Sequence, residues 1–316
     1  MPSDQPAPAG QQPSISVIIL TFGSAKFIGP CISSVVASTR SPVEVVVVDN
    51  ASTDDSLKLA EEAASKSALP LKPIPLQCNL GCAGGNNAGW RASMGEVLVF
   101  LNPDTEITPG FLDELVRPLL NDTDIGITGA KMVYPGSRVL QHAGGIVYPN
   151  GMTAHHGLGQ QDRGQFDTQR DVDYVTGAGF AIRRELMESL GGFDEEYFPA
   201  YYEEVDLCMR VRQLGKRIVY VPSAVMVHHE SVSLGADSPA LRRMYSRMRI
   251  QFCLKNFSLF QLLRWSIPCE IRWMLTEPAA RGHRAQQLRS YVANWRFLLR
   301  KLSGGNRSRA RVRKMP

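Results

Sequence analysis

Ile15-Ser16-Val17-Ile18-Ile19-Leu20-Thr21 and Val43-Glu44-Val45-Val46-Val47-Val48-Asp49 are short β-branched runs with almost no polar interruption. A strand with one wet face alternates polar and apolar residues. These two have no polar face to offer, so both faces are covered, as in a parallel sheet packed between helices. Lys26 to Ser38 supplies a helix-length stretch between them, and a second helix can start at Thr53, with Asp54, Asp55 and Ser56 in its first turn where acids suit the helix dipole. The alternation continues with a strand near Leu71 to Gln77, a Gly/Asn loop, a helix near Asn87 to Ser93, a strand from Glu96 to Leu101 and a helix near Pro109 to Leu120. Four strands with intervening helices predict an α/β fold on an open, doubly wound, mostly parallel sheet.

After Asn121 the texture changes. Ile125 to Tyr134 and Val139 to Tyr148 read as strands, and the polar stretch through Gln169 reads as a long surface loop. Structure resumes with Val172 to Ile182, then helices from Arg184 to Leu190 and around Glu203 to Leu214, and strands Arg217 to Val221 and Ala224 to His228. Beyond Ser238 the pattern is helical and basic. The expected organisation is a disordered leader over residues 1–13, an α/β domain over 14–236, and a basic helical region over 237–316 with a disordered end.

With 316 residues and 44% hydrophobic content, the chain can build a substantial core. Its net charge of +5 is uneven: after Glu277 there are eleven Lys or Arg and no acid, which leaves about −6 for everything before. The six cysteines, at 31, 78, 82, 208, 253 and 269, lack the spacing of a zinc site or a disulfide framework, and reduced thiols in a cytosol fit them. Cys78 and Cys82 read as packing residues. Met1 to Pro13 lacks the charged start and apolar stretch of a signal peptide, and Lys255 and Arg264 interrupt the longest apolar run, so no spanning helix is expected.

In an open α/β sheet ligands sit beyond the carboxyl ends of the strands, so the residues that close each apolar run are the ones to weigh. These are Thr21, Asp49-Asn50, the segment Asn79 to Asn87, and Asn102-Pro103-Asp104. Asp49 can accept from a base imide or a ribose hydroxyl, or it can cap a helix. Gly84-Gly85-Asn86-Asn87 can admit a ligand close to the backbone ahead of a helix N-terminus, or it can be a plain turn. Asp104 can hold Mg²⁺ or Mn²⁺ against diphosphate oxygens, or end a turn after Pro103. Glu203, Glu204 and Asp206 open a helix after a run of aromatics. Asp206 is explained by pairing with Arg210, whereas adjacent acids in apolar surroundings suit a carboxylate base with a raised pKa. His228 or His229 can complete a metal shell with Asp104.

In order along the chain, these segments resemble family 2 glycosyltransferases, especially the bacterial rhamnosyltransferase-like subgroup. The segments are Val17 to Phe22, Val48 to Asp54, Asn79 to Gly89, Phe100 to Ile107, Gly177 to Phe193 and Tyr201 to Arg212. The resemblance implies a GT-A type domain over about residues 14–236 and an inverting transfer of a sugar from a nucleoside-diphosphate donor to an acceptor hydroxyl. It places Asp49 on the base, Asp104 as the last acid of a metal site that reads Asn102-Pro103-Asp104, Glu204 as general base with Glu203 as competitor, and His228 in a His-x-x-Gly/Ser-x-Ser pattern with Ser231 and Ser233. Gly177-Ala178-Gly179 would let a sugar lie near the backbone, and Arg183 or Arg184 would reach phosphate. A glycan or lipid-linked saccharide is the implied acceptor, with cell-envelope polysaccharide as the setting.

No nucleic-acid partner is expected. The tail, with Trp265, Trp273 and Trp295 among Leu, Ile and Arg, has the composition of a basic amphipathic segment that can rest on an anionic membrane, which makes the chain cytoplasmic or peripheral on the inner face of the plasma membrane. An ordinary helical cap is the other reading. A non-catalytic binding protein with a degenerate sugar-nucleotide domain is the competing function.

Overall fold

The computed structural model describes residues 13–230, 238–276 and 284–303. The expected leader up to residue 12, Ser231 and Ser233, and the basic end after Ser303 lie outside the described residues.

The first half alternates as the apolar runs dictate: β1 (Ile15–Thr21), α1 (Ala25–Val36), β2 (Glu44–Asp49), α2 (Ser56–Ala64), β3 (Leu71–Pro75), α3 (Gly81–Ala92), β4 (Val97–Leu101). β3-β2-β1-β4 form a parallel run in register, with Thr21 opposite Asp49 at the carboxyl end. Side chains alternate between two cores. Val17, Ile19, Val45, Val47 and Val99 face α1 and α2, whereas Ile18, Val46, Val48, Leu98 and Phe100 face α3 and the later helices. Each fully buried aliphatic of this kind contributes about 1.5–3 kcal/mol relative to exposure, which is why both faces must be covered.

β5 (Thr105–Ile107), α4 (Phe111–Asn121), β6 (Ile125–Val133), β7 (Leu140–His142), β8 (Gly145–Val147), β9 (Thr153–His155), β10 (Arg170–Asp171), β11 (Gly179–Arg183), α5 (Arg184–Leu190), α6 (Glu203–Gln213), β12 (Arg217–His228) and α7 (Pro239–Asn256) complete the fold before the last helices. The sheet reads β10-β12-β6-β11-β4-β1-β2-β3. β11 is antiparallel to both β4 and β6, while β12 is parallel to β6.

Three local expectations change. The Gly/Asn segment is not a loop: α3 starts at Gly81 and runs through it. A Cβ on Gly85 would sit 2.3 Å from Leu20 Cδ1, and one on Gly89 2.6 Å from Ile18 Cγ2, so these glycines let the helix lie close on β1. The two strands expected at 217–228 are one, with a register shift between Val221 and Val225. The strand expected over Val139 to Tyr148 splits at Gly144, whose φ of +95° no extended strand accommodates.

Candidate active site

The carboxyl ends of β1, β2 and β4 define one edge, and contacts run around it from residue to residue. Thr21 and Asp49 are register partners there. The Thr21 hydroxyl is buried with no hydrogen-bond partner. The Asp49 carboxylate accepts from the Ser52 amide at 3.3 Å, holding the turn in which Ala51 has a φ of +63°. Next to it the Asn50 side chain donates to Asn79 Oδ1 at 3.0 Å and accepts from the Leu80 amide at 2.8 Å, tying the end of β2 to the start of α3. The Cys82 amide then donates to the Pro199 carbonyl at 2.8 Å, which brings the segment before α6 to the same edge.

That segment delivers the acids. Tyr201 and Tyr202 both have left-handed backbone, at φ of +76° and +72°. Such a conformation costs about 1–3 kcal/mol per non-glycine residue, and it persists where the surroundings hold it. Here the buried Tyr202 hydroxyl donates to the Gly151 carbonyl at 2.8 Å. The strained pair aims Glu203 and Glu204 at the rim. Burial raises the pKa of both carboxyls above the ordinary range, and for Glu203 the neighbouring Glu204 charge raises it further. The Cys82 thiol, itself pushed up by burial and by these carboxylates, hydrogen-bonds Glu203. Glu203 Oε2 is buried without a partner. Glu204 lies beside Gly177, where an added Cβ would be 3.8 Å from its Cβ and would meet nothing closer.

Gly177 and Ala178 lead into β11, and the Ala178 carbonyl accepts from the Asn102 amide at 3.0 Å. Two residues on, Asp104 is buried, with His228 Nε2 3.3 Å from its Oδ1. The other ring nitrogen of His228, Nδ1, lies 2.6 Å from Gln141 Oε1, while Gln141 Nε2 donates to Glu230 at 3.2 Å. With the Gln141 amide nitrogen on Glu230, its oxygen faces His228 Nδ1, and the ring is held with Nε2 towards Asp104. An imidazole fixed this way by an outer partner is how metal-binding histidines are held. His229 turns away to Glu106 at 2.7 Å and packs on Phe27.

The donor set fits a divalent cation. Among the described residues no group of three or more His, Cys, Asp or Glu side chains is arranged around one point. A hard dication that keeps waters and bridges diphosphate oxygens asks for only one or two protein ligands. Asp104 and His228 meet that requirement.

Several expected site residues are occupied otherwise. The Asn87 side chain donates to the Phe193 carbonyl at 2.9 Å and to Glu195 at 2.8 Å, and it accepts from the Phe193 amide and Trp90, so its hydrogen-bonding capacity is filled inside the protein. Gly84 and Gly85 face Leu80 and Leu20, and Asn86 bonds back to the Cys82 carbonyl at 3.0 Å within α3. Asp206 is held by Tyr197, Arg210 and Asn256 at 3.0, 2.7 and 2.8 Å, a buried structural hub rather than a substrate contact. Gly179 makes room for the Met226 sulfur, 2.3 Å from where its Cβ would be. Arg183 binds the carbonyls of Leu119, Asp122 and Ile125, and Arg184 those of Trp90 and Gly95, so both terminate helices or turns and neither faces the rim. Conversely, no sequence pattern marks Gln141, a lone amide in a three-residue strand, and Cys82 reads there only as packing. A cavity of about 350 Å³ lined by Gly145, Asp173, Arg212 and Arg217 takes in none of the candidate residues.

Comparison with known proteins bears on the family and the fold. The model of "Glycosyl transferase family 2" matches residues 16–191. The O-antigen biosynthesis protein RfbC of Myxococcus xanthus is 32% identical over 73% of this chain. N-acetylglucosaminyl-diphospho-decaprenol L-rhamnosyltransferase of Mycobacterium tuberculosis is 28% identical over 83% of this chain and 89% of its own length. The chain spans only 26% and 18% of the length of two other curated relatives it matches, RfbC being the second. Among solved structures, GalNAc-T7 with UDP, GalNAc and Mn²⁺ aligns at a TM-score of 0.62 and 19% identity, over 77% of this chain and 48% of that one. That likeness establishes the fold, an α/β domain of GT-A type. With the family model covering more than half of the sequence, the chain belongs to glycosyl transferase family 2.

Proposed function

We propose that the protein is an inverting glycosyltransferase that moves a sugar from a nucleoside-diphosphate donor to an acceptor hydroxyl on a glycan or lipid-linked saccharide in cell-envelope polysaccharide synthesis. The observation that carries this reading is the desolvated acid pair, Glu203 and Glu204, linked through Gly177, Ala178 and Asn102 to Asp104 and His228 on one edge of the sheet.

Asp49 and Thr21 receive the nucleoside, and Gly177-Ala178 give the reacting sugar a side-chain-free wall. Glu204 takes the proton of the acceptor hydroxyl as that oxygen bonds to the anomeric carbon and the bond to the diphosphate breaks; the proton ends on Glu204 and the electron pair on the departing diphosphate. A carboxylate with a raised pKa is the stronger base for this step. Glu203, pinned to Cys82, positions rather than accepts. Asp104 and His228 would hold Mg²⁺ or Mn²⁺, whose charge offsets that of the leaving diphosphate. Rhamnose is the sugar suggested by the mycobacterial relative, and the basic C-terminal helices suggest attachment at the inner face of the plasma membrane.

A donor panel assayed for nucleoside-diphosphate release tests the reading. Glu204→Gln is expected to cut transfer by roughly 10²–10⁴-fold while nucleotide binding persists; unchanged turnover would favour the non-catalytic alternative. Gln141→Leu is expected to weaken Mn²⁺ binding by about 10–100-fold in calorimetry, and unaltered affinity would remove His228 from the cation site.

A further inference from the structure

After α7 the described chain continues as Leu259–Gln261, Leu262–Ser266 and Ile267–Thr276, which follow one another directly, and then as Arg284–Ala293 and Trp295–Leu302. A helix on a water-soluble protein turns its apolar stripe to the core and its polar side to solvent. These do the reverse. In the first stretch Leu262, Ser266 and Glu270 are buried, whereas Phe260, Leu263, Ile267, Ile271 and Leu275, spaced three and four apart, are 47–69% exposed. In the second, Gln287, Ser290, Asn294, Phe297 and Lys301 are turned inward. Leu288, Val292, Trp295, Leu299 and Leu302, again at helical spacing, are 52–71% exposed.

The inward side is locked. Arg249 of α7 contacts both carboxylate oxygens of Glu270 at 2.6 and 2.8 Å, and the Tyr291 hydroxyl and Asn150 amide donate to the same carboxylate at 2.8 and 3.0 Å. Gln287 donates to Ser246 of α7 at 3.0 Å. Rotating either stretch to hide its apolar stripe would break these bonds and leave a buried charge unpaired.

The charge around the stripes is of one sign. Arg264, Arg272, Arg289 and Arg296 are exposed, and Arg264 stacks on the half-exposed Trp265 at 4.3 Å. Glu270 is the sole acid among the described residues of these helices, and it is buried. A second copy docked face to face would set these arginines against one another, which opposes association. An anionic headgroup layer complements them, and among the described residues no helix is long and apolar enough to cross a bilayer.

We propose that these helices form an inside-out surface that docks on an anionic lipid bilayer, with both apolar stripes immersed at the headgroup boundary and the arginines on phosphate. The inference deepens the proposed function, resting on a lipid-linked acceptor. α7 supports the idea from its other end, where Gln251 donates to the Glu196 carbonyl at 2.9 Å and Asn256 to Asp206, so the helix that carries the docking face also braces the segment that delivers Glu204.

Flotation of the full chain with vesicles of phosphatidylglycerol and phosphatidylcholine, against pure phosphatidylcholine, tests it. Binding is expected only with the anionic lipid and is expected to fall with salt. Replacing Ile271 and Leu299 together by Ser should weaken it at least about tenfold, and each of Arg264→Gln and Arg296→Gln roughly fivefold. Donor turnover on a soluble acceptor should be unchanged in these variants, and Glu204→Gln should float normally without transferring sugar. Absence of flotation, equal binding to both vesicle types, or a serine variant that turns a dimer into a monomer while binding lipid as before would overturn the docking proposal. Loss of turnover with flotation intact would instead count against the catalytic reading alone.

Discussion

In β2 every residue from Glu44 to Asp49 is buried between helices, whereas around Asn294 it is the amide that is sealed and the neighbouring Trp295 and Leu299 that face outward. Both regions are regular and rich in aliphatics; β2 packs on its neighbour strands and on α2 and α3, and the last helices pack on α7. Under the docking proposal they differ in which solvent they are built against. The sheet obeys the rule for water, with apolar groups inside and polar ends at the rim. The last helices wrap a polar network in their interior, the arrangement used where the outside is hydrocarbon. A periodic stripe shows that a helix has two faces. What it faces is decided by the partners of the other side.

The sharpest way to break this contrast is to attack the polar interior. Arg249→Met, measured by urea unfolding, is expected to cost about 3–5 kcal/mol because it strands Glu270, while Arg249→Met combined with Glu270→Leu recovers most of the loss. A single variant as stable as the parent would mean that the network holds nothing together. Next, a matched pair of truncations compares the two regions directly. Leu98→Ala should cost about 2–5 kcal/mol, and Leu299→Ala should stay within about 0.5 kcal/mol in the absence of lipid. Equal losses would show that Leu299 is covered in solution.

The smallest effect concerns the site, which breaks the rule of the sheet by desolvating two carboxyls. A carboxyl whose folded pKa exceeds its unfolded one contributes stability that is complete below the unfolded value and is lost as pH rises through the folded one. Glu204→Gln should therefore raise the Tm by about 2–4 °C at neutral pH, with the gain closing as the medium becomes more acid. For Glu270, held low by Arg249 and its other donors against the effect of burial, the sign is opposite: its contribution is present above the unfolded pKa and is lost as pH falls through the folded one. Calorimetry of Glu204→Gln and the parent across pH separates the two behaviours.

The doubly covered strands were legible because β-branched runs such as Val45 to Val48 admit no wet face. The glycines of α3 misled because the same absence of a Cβ serves a turn, a ligand or a helix lying against Leu20, and only the neighbour distinguishes them. Asp104 with His228 was legible as a pair of strand ends, but Gln141 was not, since its role depends on a register between β6 and β7 that no local pattern encodes. Asp206 reads like its acidic neighbours in the chain. In space it points the other way, into Tyr197 and Arg210, because on a helix it lies two residues from Glu204 and so on another face. In the C-terminal region the composition showed an amphipathic segment but not that its polar side is the inner one.

The reversal of β11 has a mechanical consequence. Because it runs against β4, the chain enters it at the edge where β4 leaves, and the bond from the Asn102 amide to the Ala178 carbonyl is the last rung of that ladder. The loop that holds Asp104, the proposed cation ligand, and the loop beside Glu204, the proposed proton acceptor, are thereby fastened by a crosspiece of the sheet itself. Moving either loop alone would break that rung, so under the proposed function the spacing between leaving diphosphate and arriving hydroxyl is set by the weave of the strands.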